Sequence, residues 1–584
     1  MPVKESVLDL FSNDTNQLDF IQSDDKRIIV TAPAGCGKTT AMVGKIAYEL
    51  INNRIHSHKK ILAMSYSVNA SLHIRDAIEE LLPQFVEDDK RYIDRVDVAN
   101  YHSFAMRLLK KHGYILSAEF KDISNFEITD DNDRRLSHIL NGNQLDYIQT
   151  FNEKLKDSEI SFDDINTYWD EICESLIENH TITYNGMIVS AIILLEKDAI
   201  RTFYQQYYSL LIIDEFQDTN MLGYLFISQL FSDNRVIFLG DDVQKIYTFL
   251  GAIRNIFGLV TENEFAKVIS FSTNYRFKEN DDMRNLDSLL RGYAEEYNYC
   301  GVNAKIYANE LKSDEGETEF IIQGIKNIVE RSEKTVAILV GAGWQGESIA
   351  TALSKEGIPY FNALFGDTDS EQNEFYYIAK EELYNTVNGR ATKSILVKWL
   401  KAISKRIDEV KCTSKKQFVF ESLFKLLETL CIESLKWQLT TQERYEEILT
   451  ILSNKGLRHM MDYLDERVIL TTIHSAKGLE WDYVIIPGNN AHIFPNNYCC
   501  KPCENNCSLN TGSNSCQFRF TDAMKRKYTE QLSVFYVAVT RAKKNVFFTY
   551  NTGMNKWHYP KKRSCLLGLQ GIERIEFHWK DVIG

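Results

Sequence analysis

The sequence predicts an α/β chain, with two domains built on parallel sheets and each interrupted by a helical insertion. Three observations carry this. Several short apolar runs show no polar alternation, as strands buried on both faces do. Each run ends in a loop dense with glycine, carboxylate or histidine. Helical stretches, such as 41–51 and 70–82, lie between the runs. Strand, loaded loop and helix in repetition place ligands at the carboxyl ends of parallel strands.

The runs follow in order. Arg-Ile-Ile-Val-Thr-Ala at 27–32 enters a glycine-rich turn, and Tyr-Ser-Leu-Leu-Ile-Ile at 208–213 enters Asp214-Glu215. Val-Ile-Phe-Leu at 236–239 precedes Gly240, Val-Ala-Ile-Leu-Val spans 336–340, and Val-Ile-Leu-Thr-Thr-Ile at 468–473 precedes His474. The stretches 107–181 and 367–466 lack such strands and read as helical. The expected layout is a first domain over 1–106 and 182–275 with insertion 107–181. The second domain spans 276–366 and 467–584, with an accessory helical insertion at 367–466.

The chain has 584 residues, 44% hydrophobic and 25% charged, which is ordinary for a folded protein of several domains. No apolar run is long enough for a membrane helix, and the start lacks the apolar core of a signal peptide. A cytoplasmic protein is expected. The net charge of −14 argues against nucleic acid as a partner over the whole surface, since phosphates need Lys and Arg. It leaves room for a local basic channel.

The first loaded loop is Ala32-Pro33-Ala34-Gly35-Cys36-Gly37-Lys38-Thr39-Thr40. Between a strand and a helix, it reads as a phosphate-binding loop: backbone N–H groups and the helix N-terminus cradle the phosphates. Lys38 reaches the β- and γ-phosphates of ATP, and the Thr39 hydroxyl ligates Mg²⁺. The strict pattern has glycine where Ala32 stands. The second loop is Asp214-Glu215-Phe216-Gln217-Asp218. Two adjacent carboxylates at the end of a buried strand are costly without a cation. Asp214 is expected to hold Mg²⁺, and Glu215 to orient and deprotonate the attacking water.

With these residues the chain resembles superfamily 1 DNA helicases of the UvrD/Rep/PcrA group, whose fold is two RecA-like parallel-sheet domains with helical insertions. The motifs arrive in that family's order. Gln17 matches the adenine-reading glutamine. Ser-Tyr-Ser-Val-Asn-Ala at 65–70, with Tyr66 and Asn69, is similar to a strand-contacting segment, as is Tyr101-His102-Ser103-Phe104. The segment from Gly240, with Gln244, Tyr247 and Phe249, resembles the one whose glutamine senses the γ-phosphate while its aromatics stack on bases. Tyr275-Arg276 resembles the pair that stacks on adenine and contacts the γ-phosphate. Thr-Ile-His-Ser-Ala-Lys-Gly-Leu-Glu at 472–480 carries His474 toward the strand and Glu480 toward ribose, and Arg541 matches a second γ-phosphate arginine. The resemblance implies that both arginines come from the second domain and face the loop of the first. The aromatics would serve bases of any sequence.

Some positions depart from the family. Thr40 stands where relatives carry arginine, Phe249-Leu250 where they carry Trp-Arg, and Gln531 where an acidic residue is common. Leu250 removes a strand-contacting charge. The accessory interval 367–466 is short for the family, which implies a reduced duplex-engaging surface and a motor served by a protein partner, as in nuclease-coupled defence systems such as Gabija. The expected activity is ATP-dependent 3′-to-5′ translocation or unwinding on single-stranded or tailed DNA, in repair, recombination or phage defence. The alternative is a DNA-sensing regulatory ATPase that controls a nuclease partner. No nuclease motif is evident in the chain itself.

Eleven cysteines in a cytosolic chain argue against a disulfide framework. Five crowd the loop 499–516. There, Cys500, Cys503, Cys507 and Cys516 have spacings that suit a structural zinc site, unliganded thiols or an iron–sulfur cluster. Cys499 is an alternate for Cys500.

Overall fold

The computed structural model describes residues 3–66, 68–86, 92–246, 251–365, 370–410, 414–437, 439–453, 455–496, 516, 522–555 and 558–582. The chain divides into two compact units, 1–275 and 276–584.

The first unit contains β1 (Arg27–Thr31), β2 (Lys60–Ser65), β3 (Val96–Asn100), β4 (Glu127–Thr129), β5 (Thr181–Thr183), β6 (Tyr208–Asp214), β7 (Arg235–Gly240) and β8 (Lys267–Ser270). Six of these form one parallel sheet in the order β3-β2-β6-β7-β1-β8. The central strands are buried almost throughout because both faces are covered. The pleat divides their side chains between two cores. Ile28, Val30, Leu210, Ile212, Ile237 and Leu239 pack on one face, against the helices Thr15–Gln22 and Lys38–Ile51. Ile29, Leu211, Ile213, Val236 and Phe238 pack on the other, against Tyr101–His112, Tyr184–Leu195 and Met221–Ser228.

The stretch between β3 and β6 departs from the purely helical reading. β4 and β5 pair in parallel as a small separate sheet, Glu127 opposite Thr181. At three residues each they are too short for periodicity to register. The helix Tyr184–Leu195 is buried along almost its whole length, apolar on every side, and so has no polar face to betray its period.

The second unit contains β9 (Ala304–Leu311), β10 (Val336–Val340), β11 (Phe361–Asn362), β12 (Val468–Thr472), β13 (Trp481–Ile486), β14 (Ala542–Asn551) and β15 (Ile572–Ile575). They form one parallel sheet, β11-β12-β10-β13-β14-β9-β15. Between β11 and β12 the described chain is helical, including Ser370–Thr386, Lys393–Glu409, Ser414–Ser434 and Thr441–Ser453. The expected class, two RecA-like parallel-sheet domains with helical insertions, is therefore met. No described helix is long and apolar enough to cross a membrane.

A buried ionic network fixes the helix that follows the glycine-rich turn. Lys45 Nζ donates to the carbonyls of Ile21 at 3.0 Å and Ser23 at 2.6 Å, and pairs with Glu49 at 2.8 Å. The Arg235 guanidinium, from the first residue of β7, grips both Glu49 oxygens at 2.7 and 2.6 Å. Glu49 is 0% exposed. Glu49 thus ties Lys38–Ile51 to the sheet, and its partner Lys45 ties the same helix to the end of Thr15–Gln22. Removing one partner of such a set leaves uncompensated buried charge. Glu49→Ala is expected to lower stability by about 3 kcal/mol, read as a lower urea midpoint for the first unit.

Candidate functional site

The strand order sets the site. β6, β7 and β1 are neighbours, so the loops after Asp214, Gly240 and Thr31 emerge side by side at the carboxyl edge of one sheet. The turn after β1 needs left-handed backbone, and Gly35 at φ 78° and Gly37 at φ 71° supply it. Gly37 also permits a close approach: a Cβ there would lie 2.8 Å from Gln17 Nε2 and 3.5 Å from the Tyr275 ring. Ala32 N donates to Gly240 O at 3.0 Å and Cys36 N to Pro33 O at 3.2 Å, closing the turn. Ala32, Ala34 and Cys36 are buried, whereas Pro33, Gly35, Gly37, Lys38, Thr39 and Thr40 are partly open.

Gln17 and Tyr275 converge on this turn. Gln17 Nε2 donates to Cys36 O at 2.9 Å. Tyr275 N donates to Gly35 O at 2.8 Å, and its hydroxyl donates to Asp14 Oδ2 at 2.8 Å. Asp14 in turn caps the helix that carries Gln17, accepting from Asn16 N and Gln17 N at 3.1 Å each. Tyr275 is 45% exposed beside the turn.

Lys38 is the electrostatic centre. Its ammonium lies 2.5 Å from Glu215 Oε1 and 3.0 Å from Asp214 Oδ1. Burial opposes its charge, but the two carboxylates outweigh burial and hold Lys38 above the ordinary lysine range. Burial, with help from the Glu215 charge, pushes Asp214 above the usual carboxylate range against the pull of Lys38. Glu215 sits at φ 50°, a left-handed conformation that costs about 1 kcal/mol for a residue with a side chain. Gln217 steadies it, donating to Glu215 Oε2 at 2.6 Å while its own oxygen accepts from Asp241 N at 3.1 Å. Gln244 Nε2 donates to Asp241 Oδ2 at 2.9 Å, so the third loop joins the same network. The buried Asp214 carboxylate and the partly open Thr39 hydroxyl are both oxygen donors, the kind that suits Mg²⁺.

The aromatic segments lie along the same edge. Tyr66 and Tyr101 meet edge to face at 6.0 Å. Tyr101 is 2% exposed, and its hydroxyl lies 2.9 Å from Thr219 Oγ1. Its ring therefore supports Tyr66 and offers no face to a base. A Cβ on Gly223 would lie 2.9 Å from that ring, so glycine is what lets the helix approach. His102 stands 5.5 Å from the Tyr184 ring, and burial pulls it down to about 4. Asn69 lies on the helix Val68–Leu81, with its side chain outside the described residues, as are Tyr247 and Phe249.

In the second unit, the Arg276 guanidinium donates to Thr540 O at 2.5 Å and pairs with Glu480. Arg541 is buried and donates to Val537 O at 3.0 Å, Leu479 O at 3.2 Å and Thr540 Oγ1 at 3.2 Å. Arg276, Glu480 and Arg541 thus come together. His474 follows β12, and burial, aided by the Lys477 charge, lowers it below the usual histidine range. Cys500, Cys503 and Cys507 lie outside the described residues, while Cys516 is buried. Among the described residues, no group of three or more His, Cys, Asp or Glu is arranged around a metal position.

Two family models match the chain. The UvrD/REP helicase N-terminal domain matches residues 13–264 and the UvrD-like helicase C-terminal domain matches 368–553. Among similar proteins, a Mycoplasma pneumoniae protein named "Probable DNA helicase II homolog" is 26% identical, over 89% of this chain and 81% of its own length. The ATP-dependent DNA helicase PcrA of Staphylococcus aureus is 21% identical over 92% of this chain and 83% of its own length. The ATP-dependent DNA helicase Rep of Buchnera aphidicola is 22% identical over 92% and 94%.

The low value for His102 gives a pH test. Its ordinary value is 6.5 and its folded value about 4. Between these the unfolded chain takes up a proton that the folded chain refuses. Stability therefore falls as pH drops through that window, and the loss levels off below about 4. Urea midpoints followed from pH 6.5 toward 4 should fall less steeply in His102→Gln than in the wild type. Parallel curves would remove His102 as the cause.

Proposed function

The chain belongs to the UvrD/Rep helicase family, and from that premise we propose that it spends ATP to track along single-stranded DNA, 3′ to 5′. ATP-driven DNA helicase activity comes with the family. The polarity, the strand-tracking mode and the residue roles are our reading. The observation that supports its ATP-driven part is the convergence of Lys38, Asp214 and Glu215 at the ends of β1 and β6, which flank β7 in one parallel sheet.

In this reading Gln17 reads the adenine edge and Tyr275 stacks on its face. The 32–38 turn wraps the phosphates with backbone N–H groups. Lys38 moves from the carboxylates to the β- and γ-phosphates. Thr39 and Asp214 would hold Mg²⁺, which would supply charge neutralisation on the phosphate oxygens. Glu215, freed from Lys38, orients the attacking water and accepts its proton. Gln244 senses the γ-phosphate. Arg276 and Arg541 place positive charge where it develops on the transferred phosphoryl group. Glu480 takes the ribose. Tyr66, Asn69, His102, Tyr247, Phe249 and His474 serve the DNA strand, and Tyr101 positions Tyr66.

The second reading is a DNA-sensing ATPase that controls a nuclease partner, in repair, recombination or defence. Leu250, where the family carries arginine, and the short interval 367–466 favour it. One experiment separates the readings from failure of both. ATP hydrolysis is measured with and without single-stranded DNA, in wild type and Glu215→Gln. Strong DNA stimulation, lost by at least about 100-fold in the variant, is expected. If the same preparation also displaces the strand of a 3′-tailed duplex, the motor reading stands. Stimulation without displacement favours the regulatory one. Hydrolysis indifferent to DNA would overturn both.

A further inference from the structure

We infer that Trp344 is a stacking platform for a base of single-stranded DNA in the second unit, beside His474. This rests on the DNA-tracking reading and adds a binding residue to it.

Trp344 is 63% exposed, while Trp399, Trp437, Trp481 and Trp579 are buried. An indole left at the surface forgoes the burial that its size would bring, and such rings serve recognition. Its place in the sheet says what it recognises. Val340, the last residue of β10, pairs with Thr472, the last residue of β12, and Ile473 N donates to Val340 O at 2.9 Å. The two chains therefore leave the sheet side by side at the same level. One carries Trp344 four residues on, and the other carries His474 two residues on.

The turn that bears Trp344 is built to hold its shape. Ala342 N donates to Gln345 Oε1 at 2.7 Å. A Cβ on Gly346 would lie 2.5 Å from Leu364 Cδ1, and one on Gly343 would lie 3.4 Å from Leu364 O. The turn is thus seated on the chain that follows β11, and the indole is left outward. A cation ties together the chains that leave the neighbouring strands β11 and β12. Arg458 donates to Ser475 Oγ at 3.1 Å and lies 4.6 Å over the Phe365 ring, bridging the chains that follow β12 and β11. An exposed aromatic face is what holds single strands without reading sequence. The sequence supplies a reason for it here: Phe249 is a smaller platform than the tryptophan common in the family, and Trp344 adds a large one elsewhere.

The test uses the full chain and fluorescein-labelled oligo(dT). Anisotropy gives affinity, and intrinsic tryptophan emission reports stacking. Wild type is expected to bind with quenching. Trp344→Ala should weaken binding by roughly fivefold or more and lose most of the quench, with Trp344→Phe intermediate in affinity. Thermal midpoints check folding. Should Trp344→Ala melt early, the loss of quench in Trp344→Phe decides. Unchanged affinity and quenching in both variants would overturn the inference. No binding of oligo(dT) by wild type would instead overturn the DNA-tracking reading, and this inference with it.

Discussion

The structure of the first unit turns on one demand: two adjacent carboxylates at the buried end of β6 require a cation. Asp214 and Glu215 meet it with Lys38, whose ammonium lies within 3.0 Å of both. That pairing can form only because β6, β7 and β1 are neighbours in the sheet, so the loops after them share an edge. It also accounts for the unusual backbone of Glu215. A left-handed glutamate persists when its side chain is over-determined, and Lys38 and Gln217 each hold one of its oxygens. The helix Lys38–Ile51 is locked in turn by the Lys45, Glu49 and Arg235 network, which fixes where the ammonium can reach.

The same economy recurs in the second unit. Arg276 is held by Glu480 and the Thr540 carbonyl, and Arg541 by the Val537 and Leu479 carbonyls. All three cations that the proposed reaction uses are thus ordered by groups of their own unit. In the proposed reaction phosphate competes with partners already in place, so binding exchanges one set of polar partners for another and spares each side chain a fresh loss of rotamer freedom. An acidic chain of net charge −14 can hold a polyanion in this way, because the charge that matters is local.

Much of this was legible in the sequence, for definite reasons. Strands buried on both faces announce themselves as unbroken apolar runs, and β1, β6, β7, β10 and β12 fall where such runs stand. The glycine turn and Asp214-Glu215 carry their chemistry in residue types alone. Other features had no local signal. Lys45 and Glu49, four apart on a helix, look like a surface pair and are a core one. Tyr101 reads as a base-stacking aromatic, yet Thr219 and Gly223 draw it into the core from far along the chain. β4 and β5 are too short for a period. Trp344 follows a strand in a glycine-rich turn, where only three-dimensional exposure distinguishes a platform from a core ring.

The sharing of Lys38 between carboxylates and phosphates is the claim on which the rest depends, and ATP affinity without divalent metal tests it most directly. Glu215→Gln takes away the carboxylate nearest the ammonium, at 2.5 Å, without changing its size. A fluorescent ATP analogue titrated in chelator should bind the variant several-fold more tightly than wild type, because Lys38 then has one competitor fewer. Equal or weaker binding would contradict the account, and would mean that Lys38 serves the carboxylates alone.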